Sequence, residues 1–207
     1  KPIGASSTVF AIQANAWNYI AAVKTGTTYC LYINGTRNTS STGTAASTGQ
    51  IINIGARNGG SVAPITGYLS DFRVSNTARY TGTTMTVPTT PSTAITNTSL
   101  LLNYTNAGIL DNAMMNDLET VGNAQISTSV KKYGTGSLAF DSTGDGLTRP
   151  VSPLFDFGSG SFTVEFWGNC VSTSNLGFFV SCWDDSGGSD ANSSWLVRLN
   201  SGTVITH

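Results

Sequence analysis

The sequence predicts an all-β protein built as an antiparallel sandwich of two sheets. Short apolar runs rich in β-branched and aromatic residues recur along the 207 residues, and turn signals containing Gly, Asn or Asp separate them. No run shows the sustained helical period of an amphipathic helix. Many short strands separated by turns are typical of sandwiches and barrels.

The first part of the chain supplies a series of strand candidates and one strong hairpin. The dipeptide Asn34-Gly35 predicts a tight turn, because both residues tolerate a positive φ. Residues 38–49 are rich in Thr, Ser, Ala and Gly and are predicted to be a loop. The strand candidates are 8–12, 16–24, 28–33, 50–55 and 67–75.

The candidate strand 67–75 alternates cleanly, so its side chains are expected to divide between two faces. One face is predicted to carry Tyr68, Ser70, Phe72 and Val74. The other is predicted to carry Leu69, Asp71 and Arg73.

The residue composition and the hydrophobic pattern change near Tyr80. The following segment contains Pro88, Pro91 and many threonines without periodicity, which predicts a semi-rigid surface connector. Residues 111–119 are predicted to form at most one helical turn. The later strand candidates are 99–104, 124–127, 137–140, 160–171, 177–183, 194–200 and 203–206.

Composition narrows the class of protein. Only 10% of the residues are charged, against roughly a quarter in average soluble domains. Lys+Arg 10 against Asp+Glu 11 leaves no basic stripe, which argues against binding driven by nucleic-acid phosphates. No apolar run approaches the length of about 18 residues that a membrane helix needs. The chain begins without Met or a signal peptide, as expected for a processed product or a piece of a longer protein.

The chain has three cysteines, Cys30, Cys170 and Cys182, each in an apolar strand-like run. Buried free thiols that act as small hydrophobes are the first interpretation. Cys170 and Cys182 flank a predicted hairpin turn near 174–177, which leaves a cross-strand disulfide open. No CxxC motif supports a zinc or redox site.

Two sets of short motifs carry a resemblance to a known family. Motifs typical of the closing half of a sandwich domain lie at residues 17–23, 31–35, 52–55 and 67–74. Motifs typical of the opening half lie at residues 99–102, 122–126, 133–138, 140–145 and 162–167. In order and spacing they resemble the laminin-G-like, concanavalin A-like lectin/glucanase jelly roll, in the version found in bacteriophage and other virion structural proteins. The resemblance implies an antiparallel jelly-roll β-sandwich.

The halves of that pattern stand in permuted order, since the closing motifs come first. One hypothesis divides the chain into a closing half over 1–80, a Thr/Pro-rich connector over 81–98 and an opening half over 99–207, as parts of a tandem array. The alternative is one circularly permuted sandwich over 1–207. Half a sandwich would expose an apolar sheet face at a cost of roughly 25 cal/mol per Å². The halves are therefore expected to pack on each other or on neighbouring copies.

The residues do not supply the catalytic pair of a glucanase. Retaining glycosidases need two carboxylates about 5 Å apart. The longest predicted strand offers Glu165 alone, with Trp167 and Asn169 on the same face. Glu165 is expected to pair with a surface or rim group. The sole histidine is His207, so no Ser-His-Asp arrangement is expected within the chain, and we predict a protein that is not an enzyme.

Two oxygen-rich loops are candidate binding sites. The loop 184–192 is predicted to contact a glycan through Trp183, Asp184, Asp185 and Asn192, or calcium through Asp184, Asp185 and Asp190. The loop 141–146 offers a similar set of oxygens. The alternative is that these Asp residues cap their own turns and that Trp183 belongs to the core. No cofactor other than calcium is implied.

The resemblance implies a virion structural protein, such as a phage tail fibre, spike or capsid-surface appendage, with modules for assembly and host-surface glycan adhesion. Its expected partners are other virion proteins, copies of itself in a homo-oligomer, and host glycans, without nucleic acid or membrane insertion. The expected location is the virion surface or the extracellular space. The rival hypothesis is a secreted, non-viral carbohydrate-binding module, and a glucanase-like hydrolase is the third.

Overall fold

The computed structural model describes residues 5–42, 51–57, 62–105, 108–109, 111–113, 118–173, 176–183 and 193–206. Over these ranges the regular structure consists of strands and one 3₁₀ turn at Pro153–Phe155. No helix in the described ranges is long and apolar enough to cross a membrane. The strands are β1 Ala5–Ala11, β2 Asn18–Thr25, β3 Thr28–Ile33, β4 Thr36–Thr42, β5 Ile52–Ile54, β6 Thr66–Ser75, β7 Thr98–Leu102, β8 Glu119–Val121, β9 Gln125–Ser127, β10 Ser137–Asp141, β11 Gly146–Arg149, β12 Phe162–Cys170, β13 Gly177–Trp183, β14 Ser193–Asn200 and β15 Thr203–Thr206.

The strands form two antiparallel sheets. The seven-stranded sheet has the order β1-β15-β14-β13-β5-β11-β8. The eight-stranded sheet has the order β4-β3-β2-β12-β6-β10-β9, with β7 also paired to β6. The prediction of an all-β, antiparallel, concanavalin A-like sandwich is confirmed.

Each sheet contains strands from both halves of the sequence. In the eight-stranded sheet, β6 pairs with β12 on one side and with β7 and β10 on the other. Leu100 and Leu101 of β7 lie opposite Val74 and Arg73 of β6. The division into parts of separate domains over 1–80 and 99–207, joined by 81–98, stays a prediction, as does the alternative of one permuted sandwich over 1–207.

One apolar core lies between the sheets and takes side chains from both halves. Aromatic rings account for much of its volume. Phe157 stacks on Phe162 with ring centroids 4.8 Å apart, and Phe72 stacks on Phe166 at 5.5 Å. Burial of such rings is the main favourable contribution to folding.

The hairpin predicted at Asn34-Gly35 is confirmed, with φ of 50° at Asn34 and 89° at Gly35 between β3 and β4. The prediction that 38–49 is a loop is wrong at its start, because β4 extends to Thr42. The sequence also missed β8 and β11, each short and without clear alternation. The helical turn predicted over 111–119 lies partly outside the described residues.

The alternation predicted along the whole of β6 is wrong, because the two ends of the strand are out of step. Leu69, Phe72 and Val74 all lie in the core, although Leu69 was predicted on the opposite face. The cause is a β-bulge at Asp71, whose φ is +56°. The register to β12 shifts there, and two residues of β6 occupy the space of one. The bulge reverses which side chains point away from the core.

The three cysteines are buried free thiols. The hairpin predicted between Cys170 and Cys182 is wrong. Cys170 ends β12 in the eight-stranded sheet, whereas Cys182 lies in β13 of the seven-stranded sheet. The chain crosses from one sheet to the other between them, so the two residues are not cross-strand neighbours.

Gly55 provides a test of how closely the sheets pack. Its φ is +86°, and an added Cβ would lie 2.1 Å from Cε1 of Phe140. We expect Gly55→Ala to lower the free energy of unfolding by about 3 kcal/mol, from backbone strain together with overpacking. Urea denaturation measures the change.

Gly26→Ala is the matched control. Gly26 also has a positive φ, of +58°, but nothing lies within 4 Å of the added Cβ. Gly26→Ala is expected to lower the free energy of unfolding by about 1 kcal/mol, from backbone strain alone. Equal costs at the two positions would contradict the described contact between Gly55 and Phe140.

Candidate functional site

The face of the eight-stranded sheet that points away from the core is called here the outer face. Thr163, Glu165 and Trp167 of β12 lie on it, because the alternate residues Phe162, Val164 and Phe166 lie in the core. Tyr19, Ala21, Val23, Cys30, Tyr32 and Trp167 form a second buried cluster on this face. The outer face is therefore covered and does not form an open groove over these residues.

The cover is the segment 76–97 between β6 and β7, called here the strap. It crosses the sheet to the β3–β4 hairpin, where the Met85 N–H donates to Gly35 O at 2.8 Å. The Tyr32 hydroxyl donates to Gly82 O at 2.6 Å. Tyr80, Met85 and Val87 pack against the outer cluster. The segment predicted to be a surface connector is thus folded back onto the sheet by specific contacts.

Glu165 lies at the centre of the contact between strap and sheet and is fully buried. Arg73 of β6 donates to Oε1 through Nε at 2.6 Å, and its Nη2 lies 2.6 Å from the same oxygen. Arg79 of the strap adds an ion pair, with Nη1 3.0 Å from Oε1. The Tyr19 and Tyr80 hydroxyls each donate to Oε2 at 2.5 Å.

These contacts occupy both carboxylate oxygens. A nucleophile or general acid must reach its substrate, whereas Glu165 is enclosed by its partners. The expectation that Glu165 pairs with a surface or rim group is wrong, because the strap buries it. The contacts of Arg79 and Tyr80 with Glu165 were missed by sequence reasoning, since no hydrophobic period marks the residues that follow β6.

The tyrosines at Glu165 ionise with difficulty. Burial, together with the neighbouring carboxylate, raises the pKa of Tyr80 to about 12. The same causes raise the pKa of Tyr19 far above its ordinary value. Both phenols therefore remain hydrogen-bond donors to Glu165 at neutral pH.

Asp71 is a second buried anchor for the strap. Its carboxylate accepts from Ser92 N at 2.7 Å and Ser92 Oγ at 2.8 Å. Nδ2 of Asn103 donates to Oδ1 at 2.8 Å. Burial raises the pKa of Asp71, and the hydrogen bonds from Ser92 partly offset the rise. The bulge at Asp71 turns this carboxylate towards the strap, so backbone geometry and anchoring are linked.

The loop 128–136 covers the outer face beside the strap. The Tyr133 hydroxyl donates to Pro88 O at 2.6 Å and so joins the loop to the strap. Tyr133 also meets the Trp167 ring edge-on, with centroids 6.1 Å apart. Nζ of Lys132 lies 3.9 Å from the centroid of the Trp167 ring.

In the loop 141–146 the Asp side chains cap their own turns, which was the alternative to a binding site. Asp145 accepts from Asn123 N at 2.9 Å and from Asp141 N at 2.8 Å. Asp141 accepts from Thr143 N at 2.8 Å. Over the described ranges, no three His, Cys, Asp or Glu side chains are grouped to hold a metal ion.

The predicted glycan and calcium site falls largely outside the described residues. Asp184, Asp185, Asp190 and Asn192 are not described, and neither is the side chain of Trp183. The backbone of Trp183 ends β13 and lies opposite Ser193 of β14. The two strands hold the ends of the 184–192 loop together, and its ligands stay a prediction.

A small pocket opens at the other end of β13. Its volume is about 230 Å³, and its lining includes Pro64, Ile65, Cys170, Leu176 and Leu199. Burial raises the pKa of the Cys170 thiol to about 12, so this cysteine is not activated as a nucleophile. The lining also includes Thr66, Ser142 and Ser172, so the pocket is of mixed polarity and offers no reactive thiolate.

Glu165→Gln tests the anchoring of the strap. The variant leaves Arg73 and Arg79 beside a neutral amide in a buried site. We expect the free energy of unfolding to fall by about 3–5 kcal/mol, because an unpaired buried charge is costly. Urea denaturation followed by tryptophan fluorescence measures the change.

Glu119→Gln is the control, since Glu119 is an exposed carboxylate in β8. Its effect is expected to stay within about 0.5 kcal/mol. An equally small effect at Glu165 would show that its ion pairs do not hold the strap.

Comparison with known proteins gives one family. Residues 4–81 match the family model described as the concanavalin A-like lectin/glucanases superfamily. No curated protein and no solved structure gives a match. The superfamily includes both lectins and glucanases, so the match alone does not separate binding from catalysis. Residues 4–81 are thus similar to this superfamily, and the sandwich that they help to build has the concanavalin A-like fold.

Proposed function

We propose that the chain is a non-catalytic, laminin-G-like module of a virion structural protein, such as a phage tail fibre, spike or capsid-surface appendage. It serves assembly with other virion proteins or further copies of itself, and adhesion to host-surface glycans. The observation that carries the non-catalytic part is the burial of Glu165 beneath the strap. The sequence resemblance to virion proteins supports the particle context.

The composition supports a surface that binds without strong charge. Only 10% of the residues are charged, so polar contacts depend on Ser, Thr, Asn and Gly. Such groups make many modest hydrogen bonds, which suits adhesion through repeated weak contacts. Multiple copies in a fibre would raise the overall affinity without a strong individual site.

We also propose that the loop 184–192 is the adhesive tip of the module. Trp183 would pack against a sugar ring, while Asp184, Asp185 and Asn192 would bind its hydroxyls. Calcium held by Asp184, Asp185 and Asp190 would order the loop. The paired ends of β13 and β14 support this proposal, because they give the loop a rigid base.

A glycan array tests the adhesive role. Wild type is expected to bind one or more glycans, with weaker binding in the presence of EDTA. Trp183→Ala is expected to reduce the binding at least about tenfold, the loss of one good stacking or hydrogen-bonding contact. Val151→Ala, at a residue 55% exposed, is the control and is expected to bind as wild type does.

Two further outcomes would change the proposal. Release of reducing ends from a glucan, abolished in Glu165→Gln, would show catalysis and contradict the non-catalytic role. Antibody to the chain is expected to label the surface of virus particles in electron microscopy. Label only on secreted, particle-free protein would instead support a non-viral carbohydrate-binding module.

A further inference from the structure

Among the described residues, the ammonium group of Lys132 has aromatic neighbours and no acidic partner. Its Nζ lies 3.9 Å from the ring centroid of Trp167 and 5.4 Å from that of Tyr133. The ion pairs of Arg73 and Arg79, by contrast, both involve Glu165. Nζ of Lys24 donates to Ser159 O and Gly160 O. Contact with the rings fixes Lys132 while leaving its N–H donors available.

Two polar groups on the strands beneath Lys132 have no hydrogen-bond partner among the described residues. They are Nε1 of Trp167 and Oγ of Ser70, both buried. The two residues lie directly opposite each other on β12 and β6. Trp167 itself is only 6% exposed. Unpaired buried polar groups are uncommon in native proteins, and these two mark Trp167 as a position where the sheet keeps unused hydrogen-bonding capacity.

The next row of the outer face is exposed unevenly, since Asn169 of β12 is 8% exposed while its neighbours on the other strands are more accessible. Tyr68 of β6 lies opposite Asn169 of β12 and also opposite Ala139 of β10. Tyr68 and Ala139 are half-buried, and Gln125 on the neighbouring strand is exposed. An aromatic ring beside amide groups suits a sugar, whose C–H face packs on the ring while its hydroxyls bind the amides.

The two rows are two residues apart along each strand, which corresponds to about 7 Å. That separation matches the span of one sugar unit with a charged substituent. The local charge favours an anion. Arg73, Arg79 and Lys132 outnumber the carboxylates of Glu165 and Asp71, and both arginines share Glu165.

We propose that Lys132, Tyr68 and Asn169 form a subsite for an acidic saccharide. The carboxylate or sulfate of the sugar accepts from Lys132, which Trp167 holds in position. The sugar ring packs on Tyr68, and its hydroxyls bind Asn169. This inference rests on the proposed adhesive function and deepens it by naming the chemical class of the glycan and a second place where it binds.

The test uses three small probes: sialyllactose with a carboxylate, a heparin disaccharide with sulfates, and neutral lactose. Calorimetry measures affinity, and the indole N–H resonance of Trp167 reports binding at the subsite. That resonance is assigned by its absence in Trp167→Phe. At least one acidic probe is expected to shift it and to bind at least about tenfold more tightly than lactose. The acidic probe that binds identifies whether carboxylate or sulfate is preferred.

Lys132→Gln is expected to lower the affinity for the acidic probe roughly tenfold to a hundredfold, which corresponds to the loss of a hydrogen bond to a charged group. Lys131→Gln is the matched control, because Nζ of Lys131 already donates to Thr128 O at 2.9 Å. Its affinity is expected to remain within about twofold of wild type. A higher salt concentration is expected to lower the affinity for the acidic probe and to leave the affinity for lactose unchanged.

The outcomes separate this subsite from the adhesive function as a whole. Suppose that glycans on the array bind through Trp183, but the acidic probes do not shift the indole resonance of Trp167. That result would contradict the proposed subsite and leave the adhesive function supported. Equal loss in Lys131→Gln and Lys132→Gln would also overturn the subsite, since it would indicate general charge attraction. Absence of binding by every glycan would contradict adhesion itself.

Discussion

The carboxylate of Glu165 is the contact on which the outer face depends. Two arginines and two tyrosines surround it, and they come from β2, β6 and the strap. Replacing such a buried cluster with apolar residues often costs little, whereas removing one partner costs much. Its main effect is therefore to fix where the strap lies. The same contacts occupy the one acidic side chain on β12 that resembles a glucanase residue.

The strap also connects the two parts of the chain whose strands share both sheets. β6 ends the first half, and β7 begins the second directly beside it. Adjacent antiparallel strands need only a short turn, yet 76–97 makes a long excursion over the sheet. The excursion covers Tyr19, Tyr32 and Val23, which would otherwise expose apolar surface to water. The connection thus contributes a third layer over part of the molecule.

Much of the fold follows from local sequence signals, and most of the candidate site does not. Alternation predicted β12 and placed Glu165 and Trp167 on one face, and Asn34-Gly35 predicted its hairpin. The bulge at Asp71 escaped prediction because a single non-glycine residue with positive φ leaves no pattern. The contacts of Arg79 and Lys132 are long-range and depend on where two irregular segments fold. No periodicity encodes such contacts.

Hydrogen exchange of the native protein, followed by mass spectrometry, tests most directly whether the two halves form one cooperative sandwich. Amides of β6 and β7 are expected to exchange together, with the same opening free energy as β12, because all three belong to one sheet. Strap amides that bond to the hairpin, such as Met85 N, are expected to exchange sooner. Separate opening of residues 5–75 and 98–206, each with its own free energy, would contradict the account.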